Sequence, residues 1–309
     1  MAIKAVRPDF LQDPGAAKLF HSEIVAVARL SHPGIIPVFD LIRDPSGAAL
    51  LVMAYRNGPS LSSFATADLS WPFVSSVLTQ VLEALAYAHA RGVLHLDIKP
   101  ENVLLEQLGT EVHATLLDFG ISRIRRPGRG IERWFDRDAV IGTVEYMSPE
   151  QCSGTFERLG PWSDLFSVGA MAFELCAGFR PFPGPSDHTG MVNRLTAPPP
   201  RLLPQVPHVP PGFVELVAML LANEPRNRPF QAADVLQMLR AIDPDGGRAV
   251  LQVQVGPRVA PDAVTQMATD PPSYAPENDA PLSGPLETKP LPITAAAISA
   301  RPSGISATG

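Results

Sequence analysis

Apolar positions follow two patterns along the chain. Before Asn57-Gly58-Pro59 most of them form short runs separated by turn residues, which is typical of β-strands. One early segment and most of the later chain instead repeat apolar residues every three or four positions, which is typical of helices. We predict strands at 2–6, 35–41 and 48–55, with a turn at 44–47, and helices at 19–30, 71–91, 164–176, 213–221 and 232–242.

Two of these helical segments are especially informative. The segment 71–91 has an apolar face and is followed by Gly92, a residue that commonly ends helices. The segment 164–176 is apolar on nearly every side, so we expect a helix that is buried all round. A mixed amino-terminal part followed by a helical part indicates an α+β fold.

Composition changes near the carboxyl end of the chain. Residues 244–309 hold 11 of the 34 prolines and few aromatic residues. Such a stretch buries too little apolar surface to offset its conformational entropy, so we expect a disordered tail or linker there. The preceding residues belong to a chain that is 45% hydrophobic, which is enough to bury a core.

Charge, hydropathy and cysteine content exclude several classes of function. A net charge of −6 argues against nucleic acid as a partner. No apolar run reaches the ~18 residues of a membrane span, so we expect a soluble chain. The two cysteines, Cys152 and Cys176, fit a reducing, cytoplasmic setting. They lack the spacing of metal ligands, as do His32 and His89, and we interpret all four as packing residues.

Three motifs in a fixed order carry the chemistry. They are Ala2-Ile-Lys4, His95-Leu-Asp-Ile-Lys-Pro-Glu-Asn102 and Leu116-Leu-Asp-Phe-Gly120. Each is weak alone, but the ordered set resembles the signature motifs of the protein kinase family. Family-like segments at 142–150, 163–169 and 226–229 extend the resemblance over roughly residues 1–242.

The resemblance implies a two-lobed kinase fold. The amino-terminal β-sheet lobe would occupy 1–56, the mainly helical lobe 57–243 and the tail 244–309. In the family, two strands and a glycine-rich loop precede the lysine-bearing strand, whereas this sequence begins at that strand. We therefore expect an incomplete amino-terminal lobe that lacks at least roughly 15 residues, since strands average about 5 to 6 residues.

For catalysis the resemblance implies ATP and Mg²⁺ as cofactors. Asp97 would accept the proton of the substrate hydroxyl, and Lys99 would neutralise charge on the transferred phosphoryl group. Thr143 would hydrogen-bond Asp97 and Lys99 and shape the acceptor site. Asp118 and Asn102 would bind Mg²⁺.

The same resemblance places the nucleotide against the amino-terminal lobe. Lys4 would bind the α- and β-phosphates and would be held by an ion pair with Glu23. The adenine would be surrounded by Ala2 and Leu104 on its two faces, the backbone of Ala54 and Arg56, and Met53 as gatekeeper.

Five further residues receive structural roles from the resemblance. Glu150 and Arg228 would form a buried ion pair that braces the activation segment. Asp164 would hydrogen-bond the backbone of the catalytic loop, with which the resemblance identifies residues 93–105. His95 and Phe119 belong to the two central motifs and complete the set.

The substrate class and one departure from the family follow from the same motifs. Lys99 and Thr143 resemble the corresponding residues of serine/threonine kinases, so we expect protein substrates with Ser or Thr acceptors.

Leu96 replaces an Arg that in the family pairs with a phosphate on the activation segment, and residues 123–142 contain no Ser, Thr or Tyr. We therefore expect that phosphorylation of this stretch does not switch the protein.

The arginine-rich segment 123–138 has two interpretations. We favour a solvated loop whose arginines meet Glu132, Asp136 and Asp138. The alternative is that its cations attract acidic protein substrates.

Three functions from different classes remain open at this point. The leading hypothesis is a serine/threonine kinase of the bacterial type, whose tail can link to absent domains. The second is a pseudokinase or truncated kinase fold that acts as a binding module, motivated by the missing glycine-rich loop. The third is a Pro-rich adaptor that uses 288–292, for which an ordinary disordered linker is the better interpretation.

Overall fold

The computed structural model of the chain describes residues 1–6, 14–43, 49–109, 111–119, 144–184 and 187–244, which all belong to one structural unit, Met1–Gly256. Thr143, the predicted turn at 44–47, the arginine-rich segment 123–138 and residues 245–309 lie outside the described residues. The disordered tail and the domain boundary after residue 56 therefore stay predictions.

A three-stranded antiparallel sheet and one helix form the amino-terminal part. The elements are β1 (Ala2–Val6), α1 (Pro14–Ala28), β2 (Val38–Arg43) and β3 (Ala49–Met53). The strand order is β1-β3-β2, so β3 is central. In the register of β1 with β3, Ala2 lies opposite Met53 and Lys4 opposite Leu51. This sheet therefore fixes Lys4 relative to the end of β3.

Helices and one hairpin form the rest of the described fold. The elements are α2 (Trp71–His89), β4 (Val103–Leu108), β5 (Glu111–Leu116), α3 (Pro149–Cys152), α4 (Pro161–Ala177), α5 (Asp187–Thr196), α6 (Pro211–Leu220) and α7 (Ala232–Ile242). The hairpin β4-β5 packs on α2, and α2 also contacts α4 and α7. Among the described helices, none has both the length and the hydropathy to cross a lipid bilayer.

The predicted buried helix forms the centre of this part. Nearly every residue of α4 is buried, including Leu165, Phe166 and Phe173. The helix ends at Gly178, whose φ of 79° is a left-handed conformation that glycine adopts without a Cβ clash. The apolar sequence of 164–176 therefore reflects a helix enclosed by its neighbours.

One predicted strand starts later than the sequence pattern indicates. The pattern predicts a strand from 35, but β2 begins at Val38. Ile35 and its neighbours pair instead with the end of β5: Ile36 donates its N–H to Leu116 O at 3.0 Å, and Leu116 donates to Gly34 O at 2.8 Å. These apolar residues are buried as the sequence suggests, but they join the sheet part to the hairpin.

A buried ion pair ties three helical segments together. Arg228 donates from its two terminal nitrogens to the two carboxylate oxygens of Glu150, at 2.8 and 3.0 Å. The remaining donors of Arg228 reach the backbone oxygens of Ala222, Trp162 and Asn223. Burial alone would raise the pKa of Glu150, but the hydrogen bonds and charge of Arg228 lower it. The carboxylate is therefore ionised and fully paired.

We predict that Arg228→Met lowers the free energy of unfolding by about 3 to 5 kcal/mol, because it leaves the buried Glu150 charge uncompensated. Urea unfolding followed by circular dichroism measures this loss.

Arg158→Met is the matched control. Arg158 pairs with Glu224 at 2.9 Å, but both side chains are about half exposed, so its removal should cost no more than about 1 kcal/mol. Equal losses in the two variants would contradict a special role for the buried pair.

Candidate active site

The catalytic loop is held by a buried carboxylate from α4. Asp164 accepts hydrogen bonds from the backbone N–H of His95, at 2.8 Å, and of Leu96, at 2.6 Å. The Nε2 of His89 lies 2.9 Å from the same carboxylate. Burial would raise the pKa of Asp164, but these partners lower it. Asp164 therefore acts as a charged anchor for the loop.

This arrangement strains the backbone of Leu96. Its φ is 59°, a left-handed conformation that side chains with a Cβ adopt rarely and at a cost on the order of 1 to 3 kcal/mol. The next residue, Asp97, is only partly buried.

His95 links the catalytic loop to the segment that carries Asp118. Its Nδ1 accepts the backbone N–H of Asp97 at 3.3 Å, and its Nε2 donates to Leu117 O at 2.9 Å. Its ring packs on Phe119 with 4.6 Å between centroids. Burial lowers the pKa of His95, so the imidazole is neutral and can accept and donate in this way.

Polar side chains converge on Asp97. Lys99 Nζ lies 3.2 Å from the Asp97 carboxylate. Asn102 donates from Nδ2 to the same carboxylate, at 2.9 Å, and to Asp97 O, at 2.8 Å. Because the amide nitrogen of Asn102 faces Asp97, its Oδ1 points to the other side. The structure thus brings together the three residues that the second motif predicts.

Lys4 contacts a different carboxylate from the one expected. Its Nζ lies 2.8 Å from Asp118 Oδ2. The ion pair expected between Lys4 and Glu23 is not seen among these described residues, and that pairing stays a prediction. Asp118 has a φ of 56°, and this conformation turns its carboxylate towards β1.

Glu23 lies on α1 and is largely exposed as a residue. Partial burial of its carboxyl group nevertheless raises its pKa to about 7. At neutral pH this carboxyl group is therefore poised between its neutral and charged forms.

The expected adenine residues surround the chain that follows β3. Met53 is buried at the end of β3, and Ala2 lies opposite it on β1. Ala54 donates its N–H to Pro37 O at 2.9 Å. Of the two backbone groups of Ala54, a ligand would therefore meet the carbonyl oxygen.

The strand β4 borders this connection from the helical side. Leu104 forms a β-bridge with Ser60. Glu106 lies 3.4 Å from the Arg56 guanidinium and accepts the N–H of Asn57 at 3.3 Å. These contacts hold the connection against β4, so Arg56 and Leu104 lie at one edge of the same region.

Asp118 and Asn102 fit a metal ion that arrives with phosphate groups. Magnesium prefers oxygen donors and is usually held by one or two carboxylates together with phosphates and water. In the part of the chain that the structure describes, no group of three or more His, Cys, Asp or Glu side chains could enclose a metal. The Asp118 carboxylate and the Asn102 amide oxygen suit such a Mg²⁺ ion, whose other ligands would be phosphates and water.

Two residues of this region were not recognised from the sequence pattern. His89, expected only to pack, contacts Asp164 from 75 positions away. Gln151, which follows Glu150 directly, donates to the backbone of Leu96. No local motif marks either contact, because each depends on how separate helices pack.

Comparison with known proteins identifies the family. The family model described as "Protein kinase domain" matches residues 1–239. The chain belongs to the protein kinase family. In the two-lobed kinase fold, the sheet β1–β3 and α1 form the small lobe, and the helices from α2 onward form the large lobe.

Several bacterial kinases are similar to this kinase-family chain. Serine/threonine-protein kinase pkn3 of Myxococcus xanthus is 33% identical over 255 residues, covering 80% of this chain and 46% of the relative. PknA of Mycobacterium tuberculosis is 33% identical over 282 residues, covering 87% and 61%. This chain therefore spans about half of the length of these curated relatives. The solved PknI kinase domain of Mycobacterium tuberculosis, a double mutant, matches with a TM-score of 0.57 and 25% identity, covering 77% of this chain and 83% of the solved chain.

We predict that the neutral His95 makes the kinase fold sensitive to mild acid. In the unfolded chain the imidazole has its ordinary pKa of 6.5, whereas in the folded protein the pKa is lower. As the pH falls below about 6.5, the unfolded chain therefore binds a proton that the folded protein does not, and stability is lost. The free energy of unfolding should fall by about 1 kcal/mol between pH 7 and pH 5.5 from this group.

Urea unfolding of wild type and His95→Gln at both pH values measures the effect. The variant should be less stable at both pH values but should lose less between them. His113→Gln, which removes an exposed imidazole, is the control. An unchanged pH dependence in His95→Gln would contradict the prediction.

Proposed function

We propose that this chain is a serine/threonine protein kinase that transfers the γ-phosphoryl group of ATP to Ser or Thr hydroxyl groups of proteins. The observation that carries the proposal is the convergence of Lys99 and Asn102 on the carboxylate of Asp97. The similarity to bacterial serine/threonine kinases supports the same activity.

Asp97 is the proposed catalytic base. The Lys99 ammonium lies 3.2 Å from its carboxylate, and Asn102 donates a hydrogen bond to the same carboxylate; the two contacts orient it. A substrate hydroxyl group that approaches the carboxylate would transfer its proton there as its oxygen bonds to the γ-phosphorus and the bond from that phosphorus to the leaving ADP breaks. Lys99 would then neutralise charge on the transferred group, because its ammonium is already within 3.2 Å of the base.

Asp118 and Asn102 would hold Mg²⁺, and the bound ion would supply charge neutralisation on the phosphates. For Asp118 this requires the contact with Lys4 to loosen, since Lys4 now lies against its Oδ2. Lys4 would then bind the α- and β-phosphates. Glu23 remains the proposed partner of Lys4 in that arrangement, with its carboxyl group ionised.

The adenine would bind between the lobes. The carbonyl of Ala54 and the backbone of Arg56 would meet its polar edge, next to Met53. Ala2 and Leu104 would cover its faces from the two lobes. The contact of Glu106 with Arg56 and Asn57 supports this role, because it fixes the backbone that the base would meet.

The polar cluster favours catalysis over a binding module. A protein that only binds has no physical need for a base that is oriented by both an ammonium and an amide. The proposed acceptors are Ser or Thr hydroxyl groups, which Lys99 and Thr143 support by resemblance. The two cysteines of the sequence suit a reducing, cytoplasmic setting for this activity.

We predict that Asp97→Asn lowers the rate of phosphoryl transfer by about 10²- to 10⁴-fold, because the amide cannot accept the hydroxyl proton. Transfer of labelled phosphate from ATP, with Mg²⁺, to a generic Ser/Thr protein substrate measures the rate.

Asp68→Asn, which changes an exposed carboxylate of the large lobe, is the matched control and should keep the wild-type rate. Equal rates in wild type and Asp97→Asn, or no transfer by the wild type, would overturn the proposed function.

We further predict that kcat/KM for ATP depends on the ionisation of Glu23. Since the pKa of Glu23 is raised to about 7, the ionised form that can pair with Lys4 increases as the pH rises through 7. The value of kcat/KM for ATP should therefore rise between pH 6 and pH 8. Glu23→Gln should have a value roughly tenfold lower at pH 8, without this rise. A variant with the wild-type profile would show that Lys4 does not use Glu23.

A further inference from the structure

The peptide groups on both sides of Leu96 are held by buried side chains. The N–H of Leu96 donates to Asp164 Oδ1 at 2.6 Å. Its carbonyl oxygen accepts a hydrogen bond from Gln151 Nε2 at 2.9 Å. Asp164 is part of the anchor described above, whereas Gln151 has no role in the proposed chemistry.

The orientation of the Gln151 amide is fixed from its other end. Its Oε1 accepts hydrogen bonds from the backbone N–H of Ser148, at 3.0 Å, and from the Ser148 hydroxyl, at 3.1 Å. Both residues are buried, with 5% exposure for Gln151 and none for Ser148. Because the oxygen faces two donors, the nitrogen must face Leu96.

The backbone position of Gln151 is also fixed. It follows Glu150, whose carboxylate is locked to Arg228. The amide of Gln151 therefore projects from a segment that cannot shift without breaking a buried ion pair.

The contact with Leu96 acts on the next residue of the loop. The carbonyl of Leu96 and the N–H of Asp97 belong to one planar peptide group. Holding the oxygen therefore sets the direction of the Asp97 N–H, which points at His95 Nδ1. Without this contact, the left-handed conformation of Leu96 would be free to relax towards an ordinary one.

We propose that Gln151 is a positioning residue for Asp97: its amide couples the segment 148–151 to the catalytic loop by holding the Leu96 carbonyl. The link is neutral and needs no phosphate. The link is made at Leu96, whose apolar side chain cannot form a charged contact. The consequence for turnover rests on the kinase function proposed above, whereas the consequence for the loop does not.

The alternative is that Gln151 only stabilises the first turn of α3 through Ser148. A purely structural role would lower stability but would leave the loop around Asp97 unchanged. The two roles therefore differ in whether the loop around Asp97 becomes more mobile when the Gln151 amide is removed.

Gln80 provides a matched control. Its Nε2 donates to Val112 O and its Oε1 accepts the N–H of Ala114, both at 2.9 Å. It thus joins α2 to β5 with side-chain amide bonds, as Gln151 joins α3 to the loop. Substitution by Met keeps the side-chain length and removes the hydrogen bonds in both cases.

Native-state amide hydrogen exchange on the full chain tests the proposal. In Gln151→Met, the amides of Leu96 and Asp97 should exchange about tenfold faster than in wild type. In Gln80→Met, exchange should increase at Ala114, whose N–H loses its acceptor, but not at Leu96 and Asp97. Unchanged exchange at Leu96 and Asp97 in Gln151→Met would overturn the proposal, whatever the change in overall stability.

Ser148→Ala gives a second, milder test, which also serves if Gln151→Met does not fold. It removes one of the two donors that orient the amide, so exchange at Asp97 should increase less than in Gln151→Met. The double variant should exchange like Gln151→Met alone, since both changes act through one contact. Additive increases would contradict a single link.

Kinetics then separate positioning from nucleotide binding. With ATP and a generic protein substrate, Gln151→Met should lower kcat about tenfold and leave KM for ATP within twofold, while Gln80→Met should change neither. Faster exchange with wild-type kcat would overturn the effect on Asp97. Absence of activity in the wild type would refute the proposed kinase function, and the exchange result would still decide whether Gln151 holds the loop.

Discussion

The carboxylate of Asp164 carries a charge in the centre of the large lobe, where it has no exposure to solvent. An ionised group in such a place is costly unless its oxygens are hydrogen-bonded. Two backbone N–H groups of the catalytic loop and the ring of His89 supply these bonds. The loop is therefore held against the start of α4, and Asp164 and Gln151 together hold Leu96 in its left-handed conformation.

Strain and hydrogen bonding act together at both carboxylates of the site. Leu96, directly before Asp97, and Asp118 itself have positive φ values without being glycine. Such conformations persist when the surroundings determine them completely. His95 joins the two places, because it bonds Asp97 on one side and Leu117 on the other. One buried, neutral imidazole thus links the proposed base to the segment that carries the proposed metal ligand.

The sequence predicts those features that depend on neighbouring residues. The period of apolar residues predicts α2 and the buried α4, and the motif residues Asp97, Lys99 and Asn102 meet because they lie on one short loop. It does not predict α5, which buries only part of its surface. It also does not predict the start of β2, because Ile35 and Ile36 are apolar and would be buried either in that strand or against the end of β5. Contacts such as those of His89 and Gln151 depend on the packing of distant segments, which no local pattern records.

The position of Lys4 follows from a balance that the sequence leaves open. Lys4 contacts Asp118 here and is proposed to pair with Glu23 when nucleotide binds, and ion pairs at partly exposed sites contribute only about 0 to 1 kcal/mol. In this structure Lys4 lies 2.8 Å from Asp118, while burial raises the pKa of Glu23 to about 7. Bound Mg²⁺ would attract Asp118 and bound phosphates would attract Lys4, so both would weaken the contact between these two residues. A small difference in free energy at Lys4 therefore separates the present arrangement from the one proposed for catalysis.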